Sequence, residues 1–358
     1  MNQINENQHW VSRALLERFK IAGTPFQCYQ VQTGEWIPKS IERACASPGY
    51  NQLLISGQAD NTLEEAFSKV ESGLRDTFRL LEKAVNKPLT DLPPAIHANI
   101  CWYCTFLKLI ASISKPGAVV SLTIQLNMEL KSGEYFLLRD LKIPSETINA
   151  WREACAAGRQ VVIESENILQ LLYRFQFNYA YKIDHWQFLN SKWTVSNSPI
   201  ELPMSDVGLV PMYLVKLKAN HFILPIGPHL VLEGVSFLDQ SKNSSRPVMR
   251  GRDLTAEEAE YLFDCICSSA INEIVCSRKI LTIPESLSRA KAKGIRFHKI
   301  VNPESIASAG LTDVGNDRVS FRIVSVDEYK ELVHSHMQPA WRLDGLENSP
   351  SSNGPSIR

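Results

Sequence analysis

The most informative features of the sequence are the ones it lacks. It has no charge of one sign to spare: Lys+Arg and Asp+Glu both number 38 in 358 residues, and the pI is near 7.1. A protein held to nucleic acid mainly by phosphate contacts needs a basic excess, so that class is excluded for the chain as a whole. A local basic groove remains compatible with a neutral total. No uncharged apolar run reaches the roughly 18 residues that a membrane-spanning helix requires. The opening, Met1 to Glu6, is polar and has no apolar signal segment. Four motifs are also missing: a phosphate-binding Gly-x-x-x-x-Gly-Lys loop, Gly-x-Gly-x-x-Gly, Gly-x-Ser-x-Gly and His-Glu-x-x-His. The commonest nucleotide, serine-hydrolase and zinc-protease sites are therefore not expected. No internal repeat is visible, which excludes a solenoid.

What is present is enough apolar material for a sizeable core, 44% of residues. The cysteines, Cys28, Cys45, Cys101, Cys104, Cys155, Cys265, Cys267 and Cys276, are scattered through a long chain, several in apolar helical contexts. That usage predicts free thiols in a reducing, cytoplasmic compartment. No strong linker interrupts residues 1–342, which are read as a single globular domain. Residues 343–358, rich in Asn, Ser, Gly and Pro, cannot bury apolar area and are expected to be a disordered tail.

Hydrophobic spacing supplies the elements. Val11, Leu15, Leu16 and Phe19 predict a short amphipathic helix over about 10–20. Phe26 to Val31, a Thr33-Gly34 turn and Trp36-Ile37 predict a hairpin. Leu63, Phe67, Val70, Leu74, Phe78, Leu81 and Val85 form one unbroken helical stripe. Pro93-Pro94 opens a helix to about Ser114 that is apolar nearly all round. Pro144-Ser145-Glu146 opens another through Cys155, and Ser165-Glu166 a further one through Phe175. Trp186 to Leu189, Asn190-Ser191 and Lys192 to Val195 read as a hairpin. Met212–Leu217, His221–Pro225 and Leu230–Leu232 read as short strands, and Gln240–Arg252 as a polar loop. Thr255 to Glu258 is a capping-box pattern that opens a helix to about Arg278. The fold class predicted is α+β: a predominantly helical single domain with a small, mostly antiparallel sheet.

Four polar residues stand out: His9, Glu64, Glu71 and Asn197. Glu64 and Glu71 lie seven apart, two turns along one helix face. With an imidazole nearby, His9, Glu64 and Glu71 are candidate ligands for a divalent metal, or an acid–base set, and Asn197 is placed to orient substrate. The structural reading stands beside this one. Glu64 favours the helix dipole from a first turn, Glu71 precedes Arg75 by four, and His9 caps a helix or bonds a carbonyl. His97, Cys101 and Cys104 share a helix face at zinc-like spacing, but no fourth ligand follows and core packing accounts for them. The aromatic run Phe175 to Trp193 and the basic residues Lys242, Arg246, Arg250 and Arg252 are compatible with nucleic-acid contact. Core packing and a solvated loop are the commoner meanings of such stretches.

The stretch Asn7-Gln8-His9-Trp10-Val11, with Leu15 and Phe19, resembles the opening of a widespread, mainly bacterial family known as domain of unknown function number four-two-three-eight. Leu63-Glu64 with Glu71 is similar to that family's second feature. Trp193 to Pro199 resembles its third, a strand ending in Ser-Asp-Asn-Pro, and Leu224-Pro225-Ile226 with Pro228 its fourth. Asn272, placed in the late helix, is similar to an asparagine there. Here Asn197 stands where the family usually has aspartate, and Ser198 replaces the asparagine, so a carboxylate is lost. The resemblance brings an association with bacterial conflict and phage defence but no established chemistry. Two expectations follow. One is a metal-assisted hydrolase of nucleic acid or nucleotide in a bacterial defence or toxin setting. The other is a non-catalytic binding or regulatory protein whose polar residues are structural.

Overall fold

The computed structural model describes residues 7–48, 53–55, 58–60, 62–113, 126, 129–130, 132–135, 137–140, 143–157, 159, 161–164, 181–214, 217–237, 239, 247–292, 312–313 and 318–321. The chain opens with β1 (Asn7–His9) and α1 (Arg13–Leu16), which continues as a 3-10 turn. Next come the hairpin β2 (Phe26–Gln30) and β3 (Trp36–Lys39), β4 (Ala46–Pro48), and a second hairpin, β5 (Leu53–Ile55) and β6 (Gln58–Asp60). These lead into α2 (Thr62–Ser72), α3 (Leu74–Ala84), β7 (Thr90–Asp91) and α4 (Pro94–Ile113). Then follow α5 (Leu137–Asp140), α6 (Ser145–Ala156), β8 (Val161–Glu164), α7 (Tyr181–Leu189), β9 (Lys192–Asn197), β10 (Met204–Ser205), β11 (Val210–Leu214), β12 (Ala219–Gly227) and β13 (Leu230–Phe237). The last described elements are β14 (Val248–Asp253), α8 (Ala256–Ser269), β15 (Glu273–Cys276), α9 (Ile283–Ala292), β16 (Thr312–Asp313) and β17 (Arg318–Phe321).

The predicted small sheet on a predominantly helical body is not what forms. A six-stranded sheet runs in the order β11-β12-β13-β9-β14-β7, and a four-stranded sheet in the order β10-β15-β2-β3. All pairs in both are antiparallel except β14 with β9, which is parallel. The six-stranded sheet is covered on both faces, so its strands alternate between two cores rather than between core and water. Phe222, Leu224, Ile226, Trp193 and Val195 join Val11, Leu15, Phe19, Phe67, Phe78 and Tyr103 on one side. Ile223, Val231, Val210 and Met212 join Leu262, Phe263, Ile266 and Ile274 on the other.

Four local readings are corrected. The long apolar stripe is two helices, because Gly73 breaks it between α2 and α3. The segment read as the first strand of a Trp186 hairpin is helix α7. It buries Phe188 against Trp193 and Phe222, with ring centroids 6.4 and 4.5 Å apart, and stacks His185 on Trp102 of α4 at 4.3 Å. The polar loop ends in strand β14, whose Arg250-Gly251-Arg252 sequence hides a parallel pairing with β9 from Met249↔Trp193 to Asp253↔Asn197. The late helix stops at Ser269, and β15 carries Ile274 and Val275 into the four-stranded sheet, so Asn272 lies ahead of a strand rather than in a helix. The helix predicted over 165–175, the aromatic run up to Tyr179 and the C-terminal tail fall outside the described residues.

Candidate functional site

The site is assembled from the start of the chain. β1 pairs with β4 through His9↔Ala46, and the Trp10 N–H donates to the Cys45 carbonyl at 3.1 Å. The chain then turns into α1 at Ser12, whose hydroxyl accepts from the Leu15 N–H at 3.1 Å, an ordinary N-cap. Val11, Leu15, Leu16 and Phe19 are all fully buried, which anchors this short helix far more firmly than its length would. Ser12 is itself buried, 2.9 Å from the hydroxyl of Tyr103 on α4. Tyr103 stacks on Phe67 of α2 and meets Phe78 of α3 edge-on. Arg18 secures the far end of the helix. It donates from Nε to the Ile226 carbonyl and from Nη2 to Glu82 at 2.6 Å, with its guanidinium 5.0 Å from the Phe78 ring. The Leu224-Pro225-Ile226 feature thus receives the first helix onto the sheet.

Glu64 and Glu71 fall on one side of α2, bracketing Phe67 at three- and four-residue spacing. The fold brings Glu64 close to His9, and Glu71 close to Glu64 and Arg13. Burial lowers the His9 imidazole from its usual value, against the opposing effects of its hydrogen bond to Ile41 and of the Glu64 charge. Since a carbonyl only accepts, the 2.8 Å contact of His9 Nε2 with the Ile41 oxygen fixes the proton on Nε2. In the neutral ring Nδ1 is then the basic nitrogen. Burial, together with the Glu64 charge, pushes the Glu71 carboxyl up to about 7, and the Arg13 backbone N–H and side chain only partly offset this. Glu71 also contributes to raising the Tyr103 hydroxyl, after burial. His9, Glu64, Glu71, Ser12 and Tyr103 therefore share one neighbourhood where α1, α2 and α4 meet.

Asn197 is elsewhere. It ends β9, is exposed, and donates from its amide to Asp253 of β14 at 3.2 Å. Among the described residues, no group of three or more His, Cys, Asp or Glu is disposed to hold a metal ion. This covers both His9 with the two glutamates and the His97, Cys101 and Cys104 set. Cys101 lies 3.6 Å from His97 Nε2, and burial pushes its thiol up to about 12, which fits core packing. All eight cysteines are free and buried. No helix among the described residues is long and apolar enough to cross a membrane.

Residues 7–109 match the family model described as Protein of unknown function (DUF4238). The match takes in His9, Val11, Leu63, Glu64 and Glu71, so it bears out the family resemblance on the residues that first carried it. The DUF4238 segment ends within α4, and the resemblances at Trp193–Pro199, Leu224–Pro228 and Asn272 lie beyond it. No curated protein and no solved structure matches the chain.

Sequence reasoning passed over a second polar cluster, buried in the six-stranded sheet. Glu233, 7% exposed, accepts from Ser196 at 2.9 Å and from Arg252 at 3.3 Å, and lies 3.1 Å from His221 Nε2. Arg252 continues to Glu258 at 2.6 Å, and Glu258 closes the capping box with Thr255 that the sequence had announced. Burial alone would raise the Glu233 carboxyl, but His221, Arg252 and Ser196 overcome it and hold the group at about 2. A signal was available: His221 and Glu233 are the titratable interruptions in two mostly apolar strands.

Proposed function

We propose that this chain is a hydrolase of nucleic acid or nucleotide in which Glu71 is the general acid, its protonation set by burial and Glu64, and His9 is the general base. The observation that carries the reading is a partly buried carboxyl held at about 7 beside a second carboxylate, Glu64, which also acts on the His9 imidazole. A general acid–base works best when its pKa lies near the working pH, and two carboxyls whose environments differ divide the acid and base roles between them. The three donors are not disposed to ligate an ion, so the reading assigns them proton transfer rather than metal binding. Protonated Glu71 delivers its proton to the leaving oxygen, and His9 Nδ1 accepts one from the attacking water. Arg13, whose side chain is 56% exposed, acts on the Glu71 carboxyl and would meet a phosphate. The association with phage defence that the resemblance implies is carried as part of the same proposal.

The test is a screen for nuclease and nucleotide hydrolysis over a pH series, with Glu71→Gln, His9→Ala and Asn197→Ala. The expected result is turnover that changes with pH near 7, is abolished by Glu71→Gln in a folded protein, and is untouched by Asn197→Ala. Full activity in Glu71→Gln would overturn the reading. One observation favours a structural alternative: the His9 bond to Ile41 and the Arg13 N–H bond to Glu71 both tie down the start of the chain. In that case there is no activity to lose, and His9→Ala, which removes the bond to Ile41, unfolds at lower temperature.

A further inference from the structure

Away from the DUF4238 segment, α8, α9 and the chain between β15 and α9 enclose an open cleft of about 420 Å³. Small-molecule sites commonly fall at roughly 300–1,000 Å³. Its apolar lining comes from Ile200, Phe263 and Ile280. Most of the charge around it is already matched. Arg278 donates to Glu201 at 2.7 Å, and Arg289 holds the fully buried Asp264 through Nη2 at 2.8 Å and Nε at 3.4 Å. Two charges are left over, one of each sign. Among the described residues neither Lys279 nor Glu260, which both line the cleft, has a direct ion-pair or hydrogen-bond partner; Glu260 acts on Arg289 only at longer range, where Asp264 already holds that guanidinium. The Thr282 hydroxyl, on the same wall, is in the same position.

A cation and a carboxylate without direct partners, with an apolar lining in one small cleft, suit a complementary ligand. We infer that this cleft binds a zwitterionic amino acid with an apolar side chain. Its carboxylate meets Lys279 and Thr282, its ammonium meets Glu260, and its side chain lies on Phe263, Ile200 and Ile280. A multiply charged phosphate ester fits less well, because Arg278 and Arg289 are occupied and Glu201 and Glu260 would repel it. The inference is independent of the proposed hydrolase chemistry, since it shares no residue with it.

Calorimetric titration of the full chain with leucine tests it, with N-acetyl-leucine and leucinamide as probes that each lack one charge. Saturable binding of leucine is expected, weakened roughly tenfold in either derivative, as befits the loss of one charge-assisted contact. Lys279→Ala should weaken leucine but leave leucinamide unchanged, and Glu260→Gln should weaken leucine but leave N-acetyl-leucine unchanged. Both side chains are at the surface, so circular dichroism of the two variants should match the parent. The inference is overturned if leucine does not saturate, if it binds no better than its derivatives, if the variants bind it unchanged, or if a nucleoside monophosphate binds more tightly.

Discussion

Replacing Glu71 by Gln separates the electrostatics of the candidate site from its shape. The amide keeps the size of the side chain and an oxygen to accept the Arg13 N–H, but it cannot ionise. In the folded chain the carboxyl is raised from its ordinary 4.5 to about 7 by burial and by Glu64. The folded state therefore binds this proton more tightly than the unfolded state does. The resulting stability is fully present below pH 4.5 and is lost as pH rises through 7. Each tenfold change in proton affinity is worth about 1.4 kcal/mol, so the displacement amounts to ~3 kcal/mol. Partial exposure of the group trims this to ~2 kcal/mol. At pH 8 the wild-type chain carries a charge that its surroundings disfavour, and the Gln variant does not. Urea unfolding followed by tryptophan fluorescence should show the variant level with wild type at pH 4.5 and more stable by ~2 kcal/mol at pH 8. A difference between the two proteins that is the same at both pH values would refute the assignment of Glu71 as a perturbed acid, and the catalytic proposal would fall with it.

Two further outcomes concern the scaffold. Glu233→Gln leaves Arg252 and His221 facing a neutral amide in the sheet and should cost ~3 kcal/mol at pH 7. Because the Glu233 carboxyl is held at about 2, its contribution is present above pH 4.5 and is lost as pH falls toward 2. The denaturation midpoints of variant and parent should accordingly converge in acid, and a constant gap would count against the network. Gly251→Ala would place a Cβ 2.1, 2.4 and 2.6 Å from the carbonyl oxygens of Ala84, Val85 and Lys87. These are backbone atoms at the end of α3 that cannot step aside, so a loss of ~3 kcal/mol or more is expected in thermal unfolding.

Local pattern carried the sequence reading as far as local pattern determines structure. The β2–β3 hairpin, α4, α6, the capping box at Thr255 and the strands around 210–237 all announce themselves within a few residues. What escaped was non-local or doubly buried. β14 reads as loop because Gly251, Arg250 and Arg252 carry no apolar alternation; it is a strand because β9 and β7 lie on either side of it. β15 reads as the end of a helix because Ile274 and Val275 continue an apolar run whose period is ambiguous, and it is settled only by pairing with β2. At the site, the seven-residue step from Glu64 to Glu71 was legible, and so was the prominence of His9. The roles of Ser12 and Tyr103 were not, since nothing local relates two residues on α1 and α4. Asn197 stood out through a family motif whose carboxylate it lacks, and its side chain is committed to Asp253.

The pairing of β15 with β2 also bears on how the protein is made. Glu273 accepts the Cys45 N–H at 2.9 Å and the Gln30 amide at 3.2 Å, and also binds Lys39, so it clasps both the first hairpin and the loop that presents β4 to β1. During translation the ribosome releases residues 7–109 long before it releases Glu273. The nascent chain must hold an open hairpin edge and an uncovered apolar helix stripe throughout that interval, a window in which chaperone engagement or aggregation is decided. The region matched by the family model is thus a recognisable sequence unit that cannot complete its own tertiary structure before the rest of the polypeptide arrives.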